Sequence, residues 1–409
     1  MIHMLTGAER TPPDMSTTIR TIEISGAPFE RGTQYGEAAT DLISSAIEYY
    51  EAAFGQQAGL TWSAVRDQAA SWIPACRDAA PDVVRELEGV AAGSGRDLLD
   101  LMALNLRGEI IYDQGSTRTR PMDPEEERDS SDGCTSFSLT GAAAGDGHTY
   151  AGQNWDWRAG TQHTVVIVRV VQDPLPTLIM QLEAGQIGRH GVNSAGLALN
   201  ANGLGGRFGA SVGLPQTFIR RMTLNQSELP DAINTLVRTN AHISSNALLT
   251  DRSGFSIDLE ITPTGIDWVY PDDGLLVHGN HYQASVPPQL AGHYRPVSAD
   301  SLFRVPQARS GLERVRHANG RDETLAGIRA AMSDHLGYPE SVCTHPDERR
   351  PAVRQWSTLL SSCVDLTTGD YFVTNGTPCD HPYEILPWNA FDGPGSRFTT
   401  PTLPMEAHR

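Results

Sequence analysis

Cys134 stands directly after Gly133, past an acidic, proline-containing run from Pro121 to Asp132, and opens the segment Cys134-Thr135-Ser136-Phe137-Ser138-Leu139. A thiol at the head of a strand, behind a hydrophilic tether, is placed to attack its own preceding carbonyl. Gly133 favours this attack, because a residue without Cβ tolerates strained geometry and leaves its carbonyl accessible. Cleavage there would make Cys134 a new N-terminus, and its α-amine, with an ordinary pKa of about 7.7–8.0, can act as base for its own thiol. Such a nucleophile also needs oxyanion donors, for which a side-chain amide and a backbone N–H at strand ends are suitable. Asn280, in Val277-His278-Gly279-Asn280-His281, follows one strand-like run, and Asn200 closes another. Asp156, in Gln153-Asn154-Trp155-Asp156-Trp157, is expected at the end of the strand that pairs with Cys134, where a carboxylate would hold the α-ammonium. The plain alternatives are turn-forming Asn and Asp and a buried, inert cysteine.

The elements that must position these residues change character along the chain. Helical spacing runs from Phe29 to about Phe54 through Ala38, Leu42, Ile43, Ala46 and Ile47. It returns from Pro81 to Gly93 and from Leu98 to Ile111. The segment 114–132 is too polar to pack and marks the best boundary in the sequence. Beyond it come strands: Tyr150–Asn154 in a hairpin with the Cys134 strand, Thr164–Val171 with Thr177–Leu182, then Ser194–Asn200. A helical pair near Pro215–Leu224 and Leu229–Thr239 precedes strands at Asn246–Leu249, Gly254–Glu260 and Leu275–His278. A helix around Glu323–Ser333 and a hairpin of Ser357–Asp365 with Asp370–Thr374 complete the pattern. Consecutive strands without βαβ alternation predict a layered α+β sandwich.

Composition narrows the function classes. The chain has 409 residues, 39% of them hydrophobic, which suffices for a large core. A net charge of −18 argues against nucleic acid as a partner, since no basic patch exists to neutralise phosphates. No run of 18 apolar residues occurs, so no membrane span is expected. Residues 1–19 read as a polar extension rather than a signal peptide, with Met15 an alternative start. Five cysteines without paired spacing point to reduced thiols and a cytoplasmic location.

Competing motifs are weaker. The glycines at 185, 188 and 191, and again at 203, 205, 206 and 209, are loop glycines, because no Gly-Lys-Ser/Thr or strand-to-helix G-x-G-x-x-G accompanies them. His278 and His281 with Cys343 and His345 match no standard zinc spacing, so no metal and no cofactor are expected. The flanking signature of papain-like cysteine proteases is absent, and Ser194 does not complete a nucleophile elbow.

Five segments occur in order: Asp132-Gly133-Cys134-Thr135, Gly152-Gln153-Asn154-Trp155-Asp156, Glu183-Ala184-Gly185-Gln186-Ile187-Gly188, Gly191-Val192-Asn193-Ser194-Ala195-Gly196 and His278-Gly279-Asn280-His281. Together they resemble the acyl-coenzyme A:6-aminopenicillanic acid acyltransferase (isopenicillin N acyltransferase) family of N-terminal-nucleophile hydrolases. Ala27-Pro28-Phe29-Glu30-Arg31-Gly32 and Leu101-Met102-Ala103-Leu104-Asn105 look like that family's α-subunit, so the resemblance spans roughly residues 20 to 380. It implies a four-layer αββα sandwich and self-cleavage at Gly133–Cys134. Residues 20–133 would form the α chain and 134–409 the catalytic β chain of one unit. It further implies Cys134 as nucleophile, Asp156 holding the N-terminus, the Asn280 side-chain amide and the Asn200 backbone N–H on the oxyanion, and Thr135, Gln153, Trp155, Trp157 and Thr344 near the substrate. Gln153 matches the penicillin-type branch rather than the bile-salt hydrolases, which carry Arg there. In the penicillin enzyme an arginine follows the Ser-Ile-Cys segment, whereas Ser341-Val342-Cys343 is followed here by Thr344. The departure touches the β-lactam substrate and coenzyme A donor that the resemblance implies and leaves its core amide chemistry in place.

The expected reaction is attack of Cys134 on a linear amide of a small molecule or short peptide, release of the amine, and resolution of a thioester. Net hydrolysis is favoured over acyl-coenzyme A-dependent transfer, because a transferase must exclude water and no coenzyme-binding signature is visible. The rivals are an uncut enzyme with an internal cysteine and essential histidine, and an uncut binding protein on the same scaffold. The expected partners are the substrate and the two chains of one precursor, with homo-oligomerisation left open.

Overall fold

Prolines in the first turns and left-handed glycines after the last punctuate the helical third of the chain, as helix ends require. In the computed structural model, which describes residues 19–117, 133–208, 212–296 and 298–393, strand β1 (Arg20–Ser25) comes first. Helices α1 (Pro28–Ala38), α2 (Thr40–Ala58), α3 (Trp62–Ala70), α4 (Ile73–Ala79), α5 (Pro81–Ser94), α6 (Leu98–Asn105) and α7 (Arg107–Thr117) follow. The expected extension and nearly all of the acidic segment lie outside the described residues. The helix expected from Phe29 to Phe54 is two helices meeting at Ala39, and the one from Leu98 to Ile111 breaks at Leu106. Gly32 and Gly36 of α1 face Gly89 and Gly93 of α5 so closely that an added Cβ at any of them would lie 1.8–2.4 Å from opposing backbone. Side chains there would force the two helices apart.

The strands beyond residue 133 are β2 (Thr135–Leu139), β3 (Tyr150–Arg158), β4 (Val165–Val171), β5 (Leu178–Glu183), β6 (His190–Asn193) and β7 (Leu197–Asn200). Helices α8 (Gln216–Leu224) and α9 (Leu229–Arg238) separate them from β8 (Ser245–Asp251), β9 (Ser256–Thr262), β10 (Gly265–Val269) and β11 (Leu275–His278). Helices α10 (Ser301–Glu313) and α11 (Arg321–Met332) lead to β12 (Trp356–Asp365), β13 (Tyr371–Val373) and β14 (Glu384–Ile385). The run expected as one strand from Ser194 to Asn200 is a turn at Ser194–Gly196 entering β7, with β6 before it.

These strands form two sheets, eight strands in the order β1-β4-β5-β6-β7-β8-β9-β10 and six in the order β11-β2-β3-β12-β13-β14. Three apolar clusters define the layers. One joins α1 to α9 to the eight-stranded sheet through residues such as Leu87, Leu101, Val168, Leu199 and Phe218. A second lies between the sheets, with Cys134, Trp155, Ile167, Ile179 and Leu360. A third joins the six-stranded sheet to α10 and α11 through Phe137, Val277, Leu312, Ile328 and Met332. The order is helices, sheet, sheet, helices, which is the expected αββα sandwich. Among the described residues no helix is long and apolar enough to cross a membrane.

Candidate active site

Register brings the sequence-predicted residues together at one end of the six-stranded sheet. β2 pairs antiparallel with β3, Thr135 opposite Asn154, and with β11, Ser136 opposite His278. Continuing these two registers beyond the strand ends sets Gly133 level with Asp156 and Asn280 level with Cys134. Gly133 confirms the first, since a Cβ there would sit 3.3 Å from the Asp156 Cβ and 3.5 Å from the Trp356 ring. Close approach to these neighbours is what glycine permits here. Cys134 is buried, its Sγ 3.8 Å from the Asp156 carbonyl oxygen.

Asp156 does not end its strand. β3 continues to Arg158 because β12 supplies a partner, Asp156 standing opposite Thr358 beside an irregularity between Thr358 and Leu360. One carboxylate oxygen accepts from Thr358 Oγ1 at 2.6 Å and the other lies 3.0 Å from Thr344 Oγ1. Thr344 Oγ1 is also 2.9 Å from the Ser341 carbonyl, and it has a single proton. When that proton goes to Ser341, a neutral Asp156 can donate to the hydroxyl and every group is satisfied. Burial accordingly pushes Asp156 up to about 7, against the downward pull of Arg304 and the two threonine hydroxyls.

Arg304 organises the other side and was not foreseen from the sequence. It is fully buried on α10, a helix with Pro306 in its interior and no marked apolar stripe. Its Nη1 donates to the Cys134 carbonyl at 2.9 Å and to Thr135 Oγ1 at 2.7 Å, its Nη2 to Asn280 Oδ1 at 2.7 Å, and its Nε to Asp300 at 2.6 Å. One rigid fork thus ties the nucleophile's carbonyl to the candidate oxyanion amide. Asn280 is further held by its N–H to Ser301 Oγ at 2.6 Å and its Nδ2 to the Gly203 carbonyl at 3.0 Å.

The other expected site residues lie across the sandwich or within its packed layers. Asn200 closes β7 in the opposite sheet. Gln153 clamps the residue after it, donating to the Ala201 carbonyl at 2.9 Å and accepting from its N–H at 3.1 Å. Both atoms of the Gln153 amide are therefore committed to holding the sheets together. Trp155 is buried under the Arg189 guanidinium, 4.0 Å from the ring centre, and Trp157 donates to Tyr50 Oη at 2.6 Å. Neither offers an open face to a ligand. His278 is bonded to Glu260 at 3.0 Å, and His281 to Ser301 Oγ at 2.8 Å. The four residues weighed together as metal ligands therefore do not assemble. Cys343 and His345 meet His335 and Cys379 instead.

The model of the acyl-coenzyme A:6-aminopenicillanic acid acyl-transferase family matches residues 143–369. The chain belongs to that family. The match takes in Asp156, Asn200, Asn280, Arg304 and Thr344, and begins just past Cys134. Over 325 residues, 79% of this chain and 84% of the other, it is 27% identical to the acyl-coenzyme A:6-aminopenicillanic-acid-acyltransferase 40 kDa form of Emericella nidulans. Similar solved structures include a variant of the conjugated bile acid hydrolase of Clostridium perfringens (TM-score 0.44, 12% identity, 64% of this chain and 95% of that one). Penicillin V acylase of Agrobacterium tumefaciens is another (TM-score 0.36, 17% identity, 59% and 83%). The acyltransferase family expected from the motif set is thus the family found, and the chain is an enzyme of amide-bond acyl chemistry.

Proposed function

We propose that the chain is a self-processing amidohydrolase whose precursor is cut between Gly133 and Cys134. The thiol of Cys134 adds to the Gly133 carbonyl, the peptide C–N bond breaks to leave a thioester and a free α-amine, and water releases the Gly133 carboxylate. Residues up to Gly133 and from Cys134 onward then remain together as two chains of one unit, because α1 to α9 and the eight-stranded sheet share a core.

In turnover the liberated α-amine takes the thiol proton as Cys134 attacks a linear amide of a small molecule or short peptide. Asn280 Nδ2, aided by the Asn200 N–H, receives the developing oxyanion. The amine leaves with the proton, and water resolves the thioester. Asp156 holds the α-ammonium, and Arg304 fixes Asn280 relative to Cys134. Water is preferred to a second amine as acceptor because no coenzyme-binding signature accompanies the site. Thr344, where the penicillin enzyme's pattern has arginine, is engaged with Asp156. Five cysteines without a disulfide fit a reducing, cytoplasmic setting.

The observation that carries this reading is the Arg304 fork joining the Cys134 carbonyl to Asn280 Oδ1, with Asp156 level with Gly133. It is tested by assaying wild type, Cys134→Ala and Cys134→Ser against a panel of N-acyl amides. Both variants should be inactive, and Cys134→Ala should run as one uncut band. Full activity of Cys134→Ala would overturn the mechanism.

A further inference from the structure

Four side chains from two loops converge at the outer face of the six-stranded sheet: His335, Cys343 and His345 between α11 and β12, and Cys379 after β13, whose ligand atoms all lie within 4.8 Å of one another. The Nε2 atoms of His335 and His345 are 3.1 Å apart, and the sulfurs of Cys343 and Cys379 are 3.6 Å apart. His345 Nε2 lies 3.5 Å from Cys343 Sγ and 3.4 Å from Cys379 Sγ. A tetrahedral zinc with Zn–S of about 2.3 Å and Zn–N of 2.0–2.1 Å has edges of about 3.8 Å (S–S), 3.6 Å (S–N) and 3.3 Å (N–N). The four edges that join His345 to the other three ligands and the two sulfurs to each other fall within about 0.2 Å of these values, and the two edges from His335 to the sulfurs lie within the 4.8 Å spread of the cluster.

The surroundings are built to hold it. The Cys343 N–H donates to the Asp334 carbonyl and the His345 N–H to the Pro339 carbonyl, so the loop is tied back on itself around the donors. The Tyr338 ring packs beside both histidines, its centre 6.0 Å from that of His335 and 5.2 Å from that of His345. Cys343 is buried, Cys379 and His345 are half-buried, and His335 closes the cluster from the solvent side.

We propose that His335, Cys343, His345 and Cys379 form a closed structural site for Zn²⁺. The two thiols bind as thiolates, releasing two protons to solvent and cancelling the charge of the ion, and the imidazoles bind neutral. With all four positions filled by protein, the ion has no open coordination site and serves structure rather than chemistry. Its leverage comes from Thr344, which lies between two ligands. Thr344 Oγ1 faces Asp156, its N–H donates to Thr358 Oγ1 at 3.0 Å, and its carbonyl accepts from the Thr358 N–H at 2.9 Å. The ion would pin the loop that positions the Asp156 carboxylate, a consequence that rests on the proposed role of Asp156; the site itself does not.

The test measures metal in full-length protein expressed in zinc-supplemented medium. Wild type should carry one zinc per chain by inductively coupled plasma mass spectrometry after gel filtration. Cys343→Ser and Cys379→Ser should carry none, and His335→Ala, at the exposed position, should still fold and lose zinc to a chelator at least tenfold more readily. Cobalt exchanged into the wild-type site should show thiolate charge transfer and the intense visible bands of a tetrahedral ion. Metal-free protein that neither retains added ZnCl2 nor gains thermal stability from it would overturn the proposal. A Cys343–Cys379 disulfide found by thiol counting in denaturant would overturn it as well. Zinc bound at one per chain in a protein that lacks amidase activity would uphold the site while removing its catalytic context.

Discussion

Asp156 gives the sharpest quantitative expectation. In the uncut chain its carboxyl is buried with no α-ammonium beside it, and burial pushes it up to about 7. In the unfolded chain it titrates near 3.9, a difference of about 3 units, or about 4 kcal/mol as an upper bound. Between these values the folded precursor keeps a proton that the unfolded chain has lost, so stability falls as pH rises. The contribution is intact below about pH 4 and lost above about pH 7. The comparison needs an uncut protein, which Cys134→Ala supplies, and a partner without the titrating group, Cys134→Ala/Asp156→Asn. Urea denaturation of both from about pH 5 to about pH 8 should show the single variant losing stability relative to the double variant by up to ~1.4 kcal/mol per pH unit, levelling off above pH 7. Parallel profiles would refute the argument, since they would mean the carboxylate is already ionised in the precursor.

Three further outcomes follow from the same geometry. Asn280→Ala should lower kcat by about 10²–10³ in steady-state assays, while costing only about 1–3 kcal/mol of stability through the unpaired Arg304 N–H. Arg304→Met should destabilise the protein by about 3–5 kcal/mol by stranding Asp300, and adding Asp300→Leu should restore the melting temperature without restoring cleavage or turnover. Gly152→Ala places a Cβ 2.3 Å from the Ser362 carbonyl and 2.5 Å from the Phe137 ring. It should cost at least about 1–3 kcal/mol in denaturant melts and slow processing by disturbing the β2–β3 pairing.

What the sequence disclosed was local. The Cys134 strand, its hairpin with Tyr150–Asn154 and the Leu275–His278 strand all lie in runs whose alternation or turn residues mark them. Because these strands are neighbours in the sheet, their registers alone bring Cys134, Gly133, Asp156 and Asn280 together. What stayed hidden depends on contacts between remote segments. The extension of β3 through Asp156 requires Thr358 of β12 as a partner, which no local pattern announces. Arg304 sits on a helix with a proline inside and without a clear apolar face, so neither period nor caps marked it. Gln153, Trp155 and Trp157 carry a motif that suggested substrate contact, yet each is buried against a remote segment: Gln153 on Ala201, Trp155 under Arg189 and Trp157 on Tyr50 of α2. His335 and Cys379 join Cys343 and His345 only because loops following α11 and β13 meet in space, at spacings that match no zinc pattern.

The central claim is that the working nucleophile is also a chain terminus. Intact-mass measurement of purified wild-type protein, with sequencing of each species, addresses it directly. The account predicts two chains, the second beginning with Cys134, with amide turnover appearing as the full-length species disappears. A preparation that stays one full-length chain and still hydrolyses amides at full rate would contradict it.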